Sequence, residues 1–432
     1  MLPELERHID QTPLMDTHEH LYMEDQWING GPDVLQDLFE NYVQADLVVA
    51  GATDADVQFL LDAKNPDLKA RFERVRKAWE AVQHTGYGEA VRILAERIYG
   101  MHEITPEGLE AARETNLQLR KPGTRLGLLQ RGANLDHVQV DNFVWACLPD
   151  LSGPDFFLYD LSWFAFCNGQ VPCEQLAQET GIAVQTLSDL RAAMEKLFAL
   201  YGPVAIAVKA QHAYTRTLCW EERTDAAASA ALDRILRDPE HPETADQLCL
   251  GDWAWARGLE LAIEYRLPFK IHTGYYAGHS RMAVDRIKGG NLCPLLSKYL
   301  DAKFVLMHIA YPYNDELVAI AKHYPNVWVD MCWAWSINPY ASSDFVRRFL
   351  HAVPINKLFV FGGDTRWPAS SVAYAIQARK WFTRALSAEV ISGDLTEEQA
   401  MAVATRLMQT NQLECFDLEG TRAAIHAKIN AA

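Results

Sequence analysis

Leu14-Met15-Asp16-Thr17-His18-Glu19-His20-Leu21 is the stretch on which the reading of this 432-residue chain turns. Two histidines stand two apart in a short apolar run near the N-terminus. In an extended strand, residues i and i+2 face the same side. The spacing therefore aims His18 and His20 at one point and turns Thr17 and Glu19 the other way. Imidazole is the commonest protein ligand for zinc and similar divalent ions. With 14 histidines in the chain, one such pair arises easily by chance. Its weight comes from the pattern around it.

Outward from that stretch, short apolar runs recur and helical segments separate them. Strands are expected to begin near residues 14, 141, 156, 204, 268, 303, 327 and 358. Most of these runs are continuously apolar, as in strands buried on both faces of a parallel sheet. Eight such strands with alternating helices predict an α/β fold, a closed (β/α)8 TIM barrel. The chain reads as one domain over 1–432, with a helical insertion over about 33–130 after strand 1 and extra C-terminal helices over 370–391 and 397–410. Trp27–Pro32 reads as a loop, and Thr105 as the N-cap of a helix. A doubly wound open sheet would need a Gly-rich phosphate loop after a strand, and neither GxGxxG nor GxxxxGK[ST] occurs.

In such barrels the chemistry sits at the C-terminal ends of the strands. Lys209 closes the fourth apolar run, His272 the fifth, His308 the sixth and Asp364 the eighth. One polar residue ending a strand is commonplace; five strand ends in step with the barrel period point to a site. Arg216 and Arg366 follow strands 4 and 8, and arginine pairs bidentately with carboxylates. Trp27, Tyr275, Tyr311, Trp333, Trp335 and Trp367 also follow strand ends, which suggests a small, partly apolar acid as substrate. Trp253 and Trp255 read as packing residues.

The net charge of −17 opposes nucleic acid as a partner, because that binding needs a basic footprint. It also means that an anionic substrate must be held by local Lys, Arg or metal. The eight cysteines form no CxxC pair, and Cys167-x5-Cys173 fits no metal spacing, so buried thiols in a reducing compartment are expected. No apolar run approaches the ~20 residues of a membrane span, and the N-terminus MLPELERHIDQTP is too polar for a secretory signal. The expectation is a cytoplasmic homo-oligomer acting on a small molecule, with no nucleic-acid or membrane partner.

Five segments together resemble the amidohydrolase superfamily of metal-dependent barrels. They are Asp16-Thr17-His18-Glu19-His20, Lys270-Ile271-His272-Thr273-Gly274, Leu306-Met307-His308-Ile309-Ala310-Tyr311-Pro312-Tyr313, Asn326-Val327-Trp328-Val329-Asp330 and Phe361-Gly362-Gly363-Asp364. The last three look most like the amidohydrolase 2 branch, which includes aminocarboxymuconate-semialdehyde decarboxylase-like enzymes. The resemblance covers roughly 14–21 and 200–370. It implies that His18, His20, His272 and Asp364 bind one divalent metal, most often Zn2+, with Mn2+ or another divalent ion as alternatives. It further implies that Asp364 acts as general base and that His308 polarises substrate or serves a second metal. Lys209 stands near the position where binuclear members carry a carbamylated lysine. The run Lys209-x4-Tyr214-x-Arg216 instead looks like mononuclear relatives that hold a substrate carboxylate, and the ammonium reading is preferred. With Arg216, Arg366, Tyr311 and Trp333 as substrate-binding candidates, the chain reads as a hydrolase of a C–N or C–O bond in a small carboxylate-bearing substrate. A non-oxidative decarboxylase or hydratase and a uronate-isomerase-like sugar isomerase are the alternatives. Against the isomerase, Cys332-Trp333-Ala334-Trp335 is only a faint echo of that group's tryptophan-rich segment.

Overall fold

A computed structural model describes residues 2–431. Its centre is a sheet of eight parallel strands in sequential order: β1 (Leu14–Glu19), β2 (Leu135–Val140), β3 (Phe157–Ser162), β4 (Ala205–Ala210), β5 (Phe269–His272), β6 (Phe304–Met307), β7 (Val327–Asp330) and β8 (Leu358–Phe359). The sheet closes on itself through backbone bonds beyond the short β8. Thr17 N donates to Phe361 O at 3.2 Å, Asp364 N to His18 O at 2.9 Å, and His20 N to Thr365 O at 2.9 Å. This is the expected (β/α)8 barrel. β4 shows why the sequence specifies it: Ala205, Ile206, Ala207 and Val208 are all buried, as a strand covered by helices outside and side chains inside must be.

Two strands differ from expectation. β2 lies at Leu135–Val140 rather than after residue 141. His137 and Gln139 are fully buried within it, so a strand carrying polar side chains in the core does not read as apolar. The apolar run that mimicked it, with Phe143, Val144 and Leu148 half exposed, is a loop beyond the strand end. β3 stops at Ser162, and the apolar residues that follow turn into the helix Phe164–Cys167.

The insertion runs as short helices from Glu24 to Gly127, so Trp27–Gly30 is helical rather than loop. Its N-caps are legible in sequence: the side chains of Asp33, Thr53, Thr85 and Thr105 each accept a backbone N–H three residues on. The insertion is anchored on the helix Pro368–Ser392, where Gln377 Nε2 donates to Gly86 O at 2.8 Å and Trp381 Nε1 to Glu89 Oε2 at 2.8 Å. A last helix, Leu418–Ala431, lies beyond the two C-terminal helices that were expected. Among the described residues all eight cysteines are free, and no helix is long and apolar enough to cross a membrane.

Candidate active site

The two faces of β1 divide the work. Thr17 and Glu19 point away from the cavity, as the spacing predicts. Thr17 Oγ1 donates to Phe361 O at 2.9 Å, and Glu19 Oε2 accepts from Thr365 N at 2.5 Å and from Thr365 Oγ1 at 2.9 Å. Asp16 Oδ1 accepts from Gly363 N at 3.3 Å. A Cβ at position 363 would stand 2.1 Å from Glu19 Oε1, so only glycine lets the β8 turn approach β1 this closely. The turn thereby sets Asp364 opposite the other face of β1. There His18 Nε2 lies 3.4 Å and His20 Nε2 3.2 Å from Asp364 Oδ1.

The hydrogen bonds assign the ring tautomers. His20 Nδ1 is 2.6 Å from Asp141 O and His308 Nδ1 is 2.9 Å from Cys332 O. A carbonyl only accepts, so each Nδ1 carries the proton and each Nε2 presents a lone pair. The lone pair of His20 then faces a carboxylate oxygen, acceptor against acceptor. His308 Nε2, fully buried and without a hydrogen-bond partner, stands 4.0 Å from Asp364 Oδ2. Such an arrangement is satisfied by a cation, and it matches ligating histidines held by their second nitrogen. His18, His20 and Asp364 bring one ligand atom each within 4.8 Å of one another, and His308, Cys332 and Asp364 form a second such group. The donor chemistry fits a divalent ion.

His272 is placed differently from expectation. It lies in the same cavity wall, with its ring 4.3 Å from that of His308, but it is not in either ligand group. Its Nε2 turns onto Tyr275 O at 2.9 Å, which leaves Nδ1 as the free lone pair. Gly274 makes that local fold possible: it has φ +74° and sits where a Cβ would meet Ala310 C at 2.6 Å. Strained backbone gathers at the same barrel mouth. Phe143 (φ +63°), His308 (φ +64°), Trp333 (φ +62°) and Asp364 (φ +57°) are all non-glycine residues in the left-handed region.

Electrostatics follow from burial. Burial holds His18 and His272 well below the usual imidazole range and brings His308 down to about 4. Burial alone would raise Asp364, but the adjacent imidazoles of His18 and His20 hold its carboxyl well below the usual range. His20 is raised despite burial, because the Asp364 carboxylate beside it favours the protonated ring. Beneath the floor, Lys270 Nζ donates to Asp160 Oδ1 at 2.8 Å and to Thr17 O at 2.7 Å. Burial raises Asp330 to about 7.

The cavity above this floor measures about 560 Å³. Lys209 lines it, buried, with Nζ donating to Gln211 Oε1 at 2.9 Å. Arg366 lines its rim and is exposed. Arg216 does not reach it. Its Nη2 donates to Asp252 Oδ1 at 2.6 Å and to Cys219 O at 2.7 Å, and its Nη1 donates to Cys167 O at 3.2 Å. A guanidinium this fully engaged behind the wall is a structural tie, which corrects its assignment to substrate. Trp333 is also set back, fully buried against His308 at a centroid distance of 5.5 Å. Tyr311 meets Tyr275 edge-on, with ring centroids 6.0 Å apart, and does not line the cavity.

Several lining residues escaped sequence reading. Gln211 had a signal, two residues on from Lys209 at a strand end. Tyr42 and Glu40 had none, because they come from the insertion. Tyr42 Oη donates to Asp364 O at 2.6 Å, and Glu40 Oε2 accepts from Trp367 Nε1 at 3.1 Å. Phe143, from the misread loop, stacks on His20 at 4.5 Å.

Comparison with known proteins places these features in context. The family model described as amidohydrolase matches residues 179–404, over half of the chain. Protein fluG of Emericella nidulans is 28% identical over 180 residues, 39% of this chain; the match spans only 20% of that relative's length. The fold is similar over nearly the whole chain to several crystal structures. A uronate isomerase from Thermotoga maritima aligns with a TM-score of 0.79 at 14% identity, covering 96% of both chains. A glucuronate isomerase from Caulobacter crescentus gives 0.77 at 14% identity, covering 95% of this chain and 92% of the other. A putative metal-dependent hydrolase from Lactobacillus casei gives 0.65 at 15% identity, covering 96% and 98%.

Proposed function

The chain belongs to the amidohydrolase family, and on that premise we propose that it is a metal-dependent hydrolase cleaving a C–N or C–O bond of a small carboxylate-bearing substrate. The observation that carries this reading is the convergence of two imidazole Nε2 atoms, of His18 and His20, on one buried carboxylate, Asp364, at the floor of the cavity. His18, His20 and Asp364 would hold the ion, with His308 and His272 beside it; Zn2+ is the expected species and Mn2+ the next. A divalent ion there supplies Lewis acidity, which makes a water acidic enough to ionise near pH ~7.

The chain's own groups supply the rest. Asp364 Oδ1 is engaged by His18 and His20, so Oδ2 is the atom left to accept a proton from the attacking water. The water oxygen bonds to the acyl carbon, the C–N or C–O bond breaks, and the proton passes from Oδ2 to the leaving atom. His308, neutral with its proton on Nδ1, is an acceptor toward the cavity, which favours a ligand or base role over donation to an oxyanion. Lys209 keeps two of its three N–H donors after serving Gln211, and directs charge at a carboxylate or developing oxyanion.

The test is elemental analysis of the purified protein, with turnover of a chromogenic amide and ester panel before and after chelation. One equivalent of ion per chain, with activity lost on removal and restored by Zn2+ or Mn2+, supports the proposal. Two equivalents would revive carbamylation of Lys209, and activity without metal would refute the reading. A second reading, sugar-acid isomerisation, draws support from the whole-length fold likeness to uronate isomerases, although fold alone does not carry chemistry. Conversion of hexuronates by metal-loaded protein that hydrolyses none of the panel would decide for it.

A further inference from the structure

Two residues of opposite charge in the cavity lining stand without an ionic partner. Glu40, on the wall built by the insertion, and Arg366, on the turn after β8, both line it. Among the described residues neither makes an ion pair, with the other or with a third group; Glu40 engages only the indole of Trp367, through one oxygen. That contact ties Glu40 to the residue that follows Arg366 in the chain. Of the other charged groups in the lining, Asp364 faces His18 and His20, and Lys209, buried, makes a single hydrogen bond to the neutral Gln211. A carboxylate and a guanidinium that line one cavity without pairing are complementary to a ligand that carries both opposite charges.

Resting on the reading of this pocket as a hydrolytic site, we propose that the substrate is a side-chain amide or ester of an α-amino acid. Its α-ammonium pairs with Glu40 and its α-carboxylate with Arg366, while the side-chain acyl carbon reaches the histidines on the floor. The net charge of the chain supports this class over a simple dianion. A strongly negative protein repels added anionic charge, whereas a zwitterionic headgroup carries no net charge into that field. The placement also leaves Lys209, deeper in the cavity, for the carboxylate that hydrolysis creates.

The test is calorimetric binding to the metal-loaded, full-length protein, independent of turnover. The probes are L-glutamate, glutarate, which lacks the ammonium, and 4-aminobutyrate, which lacks the α-carboxylate. L-Glutamate is expected to bind at least tenfold more tightly than either. Glu40→Gln, which keeps an acceptor for Trp367, should erase the preference over glutarate, and Arg366→Gln the preference over 4-aminobutyrate. Equal binding of the three probes by wild-type protein, or a preference that survives both substitutions, overturns the proposal. The two levels separate cleanly. Hydrolysis of neutral amides with no gain from a free amino-acid headgroup sinks the substrate class and leaves the hydrolase standing. Selective binding of glutamate by metal-loaded protein that cuts no C–N or C–O bond does the reverse.

Discussion

The floor and the mouth of the cavity are built on different principles. The floor comes from strand ends, where His18, His20 and Asp364 are held by backbone bonds across the β1–β8 closure and by Glu19 and Thr17 on the reverse face. The mouth comes from the insertion and the loops, where Glu40, Tyr42, Phe143 and Arg366 converge from segments distant in sequence. The floor is a consequence of the barrel, and the mouth is a consequence of how the insertion and loops close over it. On this division chemistry belongs to the first and substrate choice to the second.

That division can be broken most decisively at the floor. His18→Ala and Asp364→Asn should each lower kcat/KM by about 10⁴-fold or more. Each should also strip the ion, read by elemental analysis, while circular dichroism shows the fold retained. Full activity in either variant removes the basis of the comparison.

Next in size is a change behind the wall. Arg216→Ala leaves Asp252 partly unpaired in a buried position, and about 3 kcal/mol of stability should be lost in denaturant titration. Arg223 also reaches Asp252, at 3.0 Å, which keeps the loss near that lower bound. If Arg216→Ala instead keeps its stability and only raises KM, then Arg216 serves substrate rather than the wall.

Beneath the floor, Asp330 offers a pH-dependent test. Burial lifts its folded-state pKa to about 7, above the ordinary carboxyl value. Between roughly pH 4 and 7 the folded chain therefore binds the extra proton. Stability from this group is complete at low pH and falls as pH rises through about 7. Asp330→Asn should flatten that fall, with a gain on the order of 2 kcal/mol at pH 8 and little change at pH 4. An unaltered slope of Tm against pH would show that Asp330 is not the group responsible.

The smallest expected effect tests whether mouth and floor are joined. Tyr42→Phe removes one hydrogen bond to the backbone oxygen of Asp364, worth about 1 kcal/mol, and should cost about fivefold in kcat/KM. No change would mean that the insertion only encloses the site; a far larger loss would mean that it also aligns Asp364.

The legibility of the molecule follows the same line. β4 and β6 were readable because each holds a short apolar run closed by a candidate site residue, as with Val208-Lys209 and Met307-His308. β2 was not, since His137 and Gln139 fill its core positions while the apolar residues that seemed to be the strand form a half-exposed loop. Arg216 looked like a substrate residue because its distance from a strand end was right, yet Asp252, on a helix far along the chain, claims it.

What the sequence settled by itself was the barrel and the metal-type donors at its rim, because hydrophobic periodicity is local and the strand period fixes which side a residue faces. What only tertiary structure decided was which lone pairs meet. Whether His308 or His272 stands nearer Asp364 depends on carbonyls of Cys332 and Tyr275 and on positive-φ turns. Whether Glu40 and Arg366 share a cavity depends on how 325 residues of intervening chain fold back. Neither has a local pattern, because both are set by contacts between segments whose separation in sequence carries no information about their distance in space.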